Sequence, residues 1–264
     1  MVKFTSKKNM QFWDEFARKS KNNSYGASGG RHLVEIENEF IFKNLKNINS
    51  NYLLDIGCGN GQRTLLFSKF FKKTLGIDYS NEMILEAKKL TKTNNKKIVF
   101  EVHDINKFSS EKKFDCIISC RCIINQTSTS NQIKLLKKLF ELLNPGGVLI
   151  ISEISKQGMK NLDNVRKKFG LPKMTKRWHN LHIDENKIFP EINKMFQIKE
   201  IKRAGTFYFL SRVINPAIVF PKEPEAESKM NEMALGSELL LDSIDSENML
   251  EKFGAHLMMY LVKK

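Results

Sequence analysis

The feature that most constrains this chain is a glycine-spaced turn at the end of an apolar stretch, where Tyr52-Leu53-Leu54 runs into Asp55-Ile56-Gly57-Cys58-Gly59-Asn60-Gly61. Such glycines let the backbone turn tightly at the carboxyl end of a strand, and they admit a ligand where a Cβ would collide. Their order, Gly57, Gly59, Gly61, is not the G-x-G-x-x-G of a pyrophosphate-binding turn. Asp55 stands ahead of them, and a leading carboxylate suits a ligand that carries positive charge.

The surroundings place this turn in an α/β fold. Five short apolar stretches, at 52–56, 73–77, 98–102, 115–120 and 148–152, alternate with helical patterns such as 62–71, 81–90 and 131–143. That alternation predicts one mainly parallel sheet with helices on both faces. Asn144-Pro145-Gly146-Gly147 closes the last of these helices, because proline cannot continue it. Two further strands are expected at 197–203 and 255–262, with 206–253 inserted between them as a cap or a dimer contact, since a loop so long needs structure of its own. Residues 1–50 carry two helical periodicities, Met10, Phe12, Trp13, Phe16, Ala17 and then Leu33, Ile36, Phe40, Ile41, Leu45, joined by a glycine-containing loop. They are expected to form a helical lid on a domain spanning 51–264.

Two more strand ends carry acids. Gly76-Ile77-Asp78 puts a carboxylate about twenty residues beyond the glycine turn, where it can accept both hydroxyls of a ribose. His103-Asp104-Ile105 closes the third strand; its carboxylate suits an adenine amino group, and Ile105 an apolar ring face. Each acid could instead cap a helix, Asp78 above all.

Together these segments resemble the class I S-adenosylmethionine-dependent methyltransferases. Residues 53–61 are similar to that family's first motif, Leu75-Gly76-Ile77-Asp78-Tyr79-Ser80 to its second and Asp104-Ile105 to its adenine-contact motif. Residues 114–120 and 143–150 resemble its fourth strand and the lead into its fifth. The resemblance implies a Rossmann-like, seven-stranded sheet whose last strand is antiparallel, with S-adenosyl-L-methionine as cofactor. It implies Asp55, Gly57, Cys58, Gly59 and Gly61 around the methionine moiety, Asp78 and Tyr79 near the ribose, and Asp104 with Ile105 at the adenine. Outside this core, residues 121–126, 178–180 and 207–212 are similar to a bacterial group associated with surface-polysaccharide gene clusters.

Composition narrows the function classes. The formal charge is +15, yet only eight of the 44 basic residues are arginine and the lysines are spread along the chain. That describes solvated faces rather than a nucleic-acid patch. No Asn-Pro-Pro-Tyr or Asp-Pro-Pro-Tyr tetrapeptide follows the fourth strand, as base-amino methylation would want. Of the four cysteines, Cys116, Cys120 and Cys122 fall on one strand and its exit, which does not describe a disulfide framework. The longest apolar runs are far too short for a membrane span, and the first eight residues lack a signal-type segment, so a cytoplasmic protein is expected.

Methyl transfer from a sulfonium is an in-line displacement that asks mainly for alignment and exclusion of water. A neutral sugar hydroxyl needs a general base, for which His32, His179, His182 and Tyr25 are the candidates. An anionic oxygen needs only a cationic clamp. Arg121, just past the fourth strand, can grip an oxyanion with two prongs or form a salt bridge. Arg121, His179 and Tyr25 are therefore the expected catalytic side chains, no metal site is expected, and the acceptor is expected to be a small anionic or glycan-type molecule. A non-catalytic adenosyl-binding scaffold is the remaining alternative, and the intact motifs argue against it.

Overall fold

The computed structural model describes residues 5–19, 30–46, 48, 51–91, 97–244 and 250–264. Seven strands form one sheet: β1 Tyr52–Ile56, β2 Lys73–Asp78, β3 Ile98–Val102, β4 Phe114–Cys120, β5 Leu143–Ile154, β6 Phe196–Arg203 and β7 His256–Lys263. Their order is β3-β2-β1-β4-β5-β7-β6. The first five pair in parallel, and β7 runs antiparallel to both β5 and β6. The Rossmann-like sheet with an antiparallel last strand is thus present, and the insertion expected before that strand carries helices.

Strand alternation divides the core. Leu54 and Ile56 of β1, Ile117 of β4, Leu149 and Ile151 of β5 pack toward helices α5 (Thr129–Leu142) and α7 (Glu185–Met195). Leu53, Cys116, Ile118, Val148 and Ile150 face the opposite layer, made of α2 (Arg31–Leu45), α3 (Gln62–Phe67) and α6 (Lys156–Lys168). The same layer takes in the inserted helices α8 (Gly205–Phe209) and α9 (Lys229–Ile244). Asp55 shares the parity of Leu53, so its carboxylate is turned toward α3. A first helix, α1 (Ser6–Lys19), meets α4 (Asn81–Lys89) across the sheet's carboxyl edge.

Several boundaries differ from the sequence expectation for local reasons. α5 starts two residues early because the Ser128 hydroxyl caps it, accepting from Asn131 N at 3.1 Å. β5 begins already at Leu143, which pairs with Phe114, and a register shift absorbs the Asn144-Pro145-Gly146-Gly147 stretch. α3 ends at Phe67 and continues as a tighter turn over Ser68–Phe70. Among the described residues no helix is long and apolar enough to cross a membrane.

Candidate functional site

The chain order reverses between β1 and β4, and a crevice opens there at the carboxyl ends of the strands. At its floor Gly57 and Gly61 hold φ of 65° and 76°, a left-handed conformation that side chains resist. Space forbids a side chain as well. A Cβ on Gly57 would stand 3.0 Å from Cys122 Cβ and Sγ, and one on Gly61 would stand 2.6 Å from Phe100 Cζ. Gly59 contributes its N–H, which donates to Asp78 Oδ2 at 3.0 Å and ties the first motif to the second.

Asp55 is buried, accepts the Thr64 hydroxyl at 2.6 Å, and is pushed up to about 6 by burial, against the Thr64 bond and the Arg63 charge. Asp78 is likewise pushed up to about 6 by burial, although Ser80 N and Gly59 N both donate to it. The adjacent Tyr79 hydroxyl is buried without a hydrogen-bond partner among the described residues. Asp104 accepts from Asn106 N at 2.9 Å, with Ile105 buried beside it. Asp55, Gly57, Cys58, Gly59, Asp78, Tyr79, Asp104 and Ile105 line one cavity of about 190 Å³. Gly61 lies behind that wall, where it lets α3 start against Phe100.

Four side chains of α1, Ser6, Asn9, Trp13 and Phe16, complete the cavity. The helix is held there by Asn9 Nδ2 donating to Asn125 O at 3.0 Å and by Phe12 packing at a tilt against His179, with ring centroids 4.4 Å apart. His179 itself is 2% exposed and boxed by Phe12, Trp13 and Trp178. Burial, helped by the Arg177 charge, pulls its pKa down to about 4. It supports the helix from behind and does not line the cavity. His182 is also pulled down to about 4 by burial. His32 lies elsewhere, bonded to Glu232 at 3.0 Å, in a group whose carboxylates Arg31 also engages. Tyr25 falls outside the described residues.

Residues 49–201 match a protein family described as a methyltransferase domain. The chain belongs to that family, the class I S-adenosylmethionine-dependent methyltransferases. It is 31% identical over 148 residues to the phosphoethanolamine N-methyltransferase of Plasmodium falciparum, covering 55% of this chain and 53% of that protein. It is 32% identical over 114 residues to the malonyl-[acyl-carrier protein] O-methyltransferase of Bacillus cereus, covering 42% of this chain and 40% of the relative. The matches span about half the length of these curated relatives, or less. In fold it resembles the N-methyltransferase NodS of Bradyrhizobium japonicum WM9, solved with S-adenosyl-L-homocysteine. The TM-score is 0.58 at 14% identity, over 96% of this chain and 98% of that one. It also resembles the magnesium protoporphyrin IX methyltransferase of Synechocystis PCC 6803, likewise with bound S-adenosyl-L-homocysteine, at a TM-score of 0.61 and 14% identity, over 98% and 100%.

The residues of this methyltransferase domain fit S-adenosylmethionine. At Gly57 the left-handed backbone is crowded by Cys122 where a Cβ would stand, a carboxylate closes β2, and the Tyr79 hydroxyl still needs a partner. With the acids of β2 and β3 at one end, the cavity's other end lies past β1 and β4, where Arg63, Cys120 and Arg121 form the wall.

Here the methyltransferase holds an arrangement that the sequence did not disclose. Glu37 of α2 is fully buried, and its Oε2 accepts Arg63 Nη1 at 2.8 Å and Arg121 Nη2 at 3.1 Å. Its Oε1 accepts the Ser152 hydroxyl at 2.8 Å and meets His256 Nε2 at 2.6 Å. Burial alone would raise the Glu37 pKa, but Arg121, Arg63 and His256 outweigh it and hold the carboxyl well below the usual range. Burial lowers His256 against the pull of Glu37, and its Nε2 stands 2.7 Å from the Ser152 hydroxyl as well as facing the carboxylate. Arg121 has φ 55°, unusual for a residue with a side chain. Its N–H donates to Ser152 O at 2.8 Å. The one signal in the sequence was the pair of arginines themselves; nothing local marks Glu37 or His256 as their partners.

Proposed function

We propose that this protein transfers the methyl group of S-adenosylmethionine to an oxygen of a small acceptor that brings its own negative charge. Anionic sugars, activated sugars and phosphate-type groups of surface glycan assembly are the acceptor class, in keeping with the segments around Arg121, His179 and Phe207. The observation that carries this reading is the division of the cavity wall. Guanidinium groups stand past β1 and β4, while the one histidine lining it among the described residues, His103, stands at the adenine end.

S-adenosylmethionine supplies an activated methyl group on a sulfonium, ready for in-line displacement. What the chain adds is alignment and dryness. Arg121 neutralises and orients the acceptor oxyanion, so no base has to take a proton. Trp13 and Phe16 of α1 keep water off the reacting atoms. Tyr25, on the segment joining α1 to α2, is a second candidate contact to the acceptor.

The test is mass-spectrometric detection of a methylated product from labelled cofactor with nucleotide sugars, sugar phosphates and glycan extracts. Arg121→Ala should cut turnover about a hundredfold, the size of one lost oxyanion contact. Arg121→Lys should recover part of it, and S-adenosylhomocysteine affinity should hold. A near-normal Arg121→Ala enzyme beside an inactive His179→Ala or His32→Ala enzyme with intact cofactor binding would instead establish base-assisted methylation of a neutral hydroxyl.

A further inference from the structure

We propose that Arg63 is the second arm of the acceptor clamp, and that Glu37 is the positioning residue that sets both arms. This rests on the anionic-acceptor reading above and names the residues that would make it selective. Arg63 Nη2 is buried and has no hydrogen-bond partner among the described residues, although Arg63 lines the cavity. A buried cationic N–H left unpaired is costly, so such groups normally have a partner. Glu37 cannot serve it. Both its oxygens are already taken, Oε2 by Arg63 Nη1 and Arg121 Nη2, Oε1 by Ser152 and His256.

Two guanidiniums gathered on one carboxylate oxygen also repel each other, and a second oxyanion between them relieves that. The geometry therefore calls for a carboxylate- or phosphate-type group from the cavity side. The stem of Arg63 is fixed as well, its guanidinium lying 5.4 Å from the Phe67 ring centroid and its Nε donating to Asn38 Oδ1 at 3.1 Å. With Arg63 and Arg121 each tied to Glu37, the span between the two arms is set before any acceptor arrives. That preorganisation favours an acceptor whose two or more charged oxygens can bridge them.

The probe is pyrophosphate, titrated at low ionic strength into protein saturated with S-adenosylhomocysteine. Wild type should bind it. Arg63→Gln and Glu37→Gln should each weaken pyrophosphate tenfold or more while S-adenosylhomocysteine affinity stays within threefold, a split that a merely structural loss would not produce. Arg63→Lys should restore only part of the binding. If Glu37→Gln fails to fold, Arg63→Gln decides alone. Unchanged pyrophosphate binding in Arg63→Gln overturns the proposal. So does a tenfold loss of S-adenosylhomocysteine in that variant that is absent for its decarboxylated analogue, which would assign Nη2 to the cofactor's carboxylate. Loss of pyrophosphate in Arg121→Ala but not in Arg63→Gln would leave the anionic-acceptor reading standing without its second arm. No pyrophosphate binding to wild type would remove both.

Discussion

Asp14 of α1 accepts the Ser80 hydroxyl at 2.6 Å, two residues from the carboxylate that closes β2. Ser80 is fully buried, its own N–H donates to Asp78 at 2.8 Å, and its oxygen caps α4 by accepting from Met83 N. The covering helix and the β2 end of the cavity are thus joined through the Ser80 side chain.

Asp14→Ala should loosen that covering without emptying the cradle. S-adenosylhomocysteine should dissociate about tenfold faster, equivalent to about 1.4 kcal/mol, with little change in the association rate. Stopped-flow displacement measures both. An unaltered dissociation rate would mean that the other contacts of α1, among them Asn9 to Asn125 O, Arg18 to Glu82 and Phe12 to His179, suffice to hold it.

Asp78→Ala should weaken S-adenosylmethionine and S-adenosylhomocysteine by about 2–4 kcal/mol, the loss of two charge-assisted hydrogen bonds. Because burial places the free carboxyl at about 6, hydroxyl binding to the ionised form should draw a proton off at lower pH. Affinity should therefore fall as pH drops from 7 through 6, and calorimetry in two buffers should show the released proton. Unchanged affinity in the alanine variant would take Asp78 out of the ribose site.

These acids were legible in the sequence because each sits at the end of its own strand, so a local pattern reveals both the element and the side chain. The same holds for the glycine turn, whose spacing needs only six neighbouring residues. Glu37 was hidden among ordinary helix positions, since what distinguishes it is contact with Arg63, Arg121, Ser152 and His256, all distant in sequence. The helix Glu185–Met195 was missed because Pro190 lies inside it. His179 was read as a chemical group, whereas its surroundings of Phe12, Trp13 and Trp178 are assembled from two separate segments.

Gly61→Ala tests the packing behind the cavity. The variant must take φ 76° with a methyl group set 2.6 Å from Phe100 Cζ and 2.8 Å from Ala87 Cβ. Left-handed strain and overpacking together should cost about 2–4 kcal/mol. Phe100→Leu in the same chain should recover part of it, because the two sites touch. Denaturant titration decides this, and an undamaged single variant would show that the α3 entry can shift.

Glu153 gives the stability a pH dependence. Burial pushes it up to about 8, against N–H bonds from Ile123 and Ile124 and the charge of Arg121. A carboxyl raised above its unfolded value of 4.5 contributes stability that is fully present below 4.5 and lost as pH rises through 8. Asp55 acts the same way between 3.8 and about 6. Glu37 acts oppositely, its contribution present above 4.5 and lost as pH falls further. The melting temperature should peak at mildly acidic pH and decline toward pH 8.5, and Glu153→Gln should flatten the alkaline decline. A Gln variant with the wild-type slope would move the effect to another group.

His256 stands on the last strand and meets Glu37 from a position 219 residues earlier in the chain. A ribosome that has released everything through β6 has therefore still to deliver the strand that separates β5 from β6. Until then those two strands lack their common partner, and the carboxylate that gathers Arg63 and Arg121 lacks its imidazole. The nascent protein can form the parallel half of its sheet early, but the wall at Arg63 and Arg121 is finished only once β7 has been delivered. Newly made chains should accordingly complete the Asp78 and Asp104 end of the cavity before the Arg63 and Arg121 end.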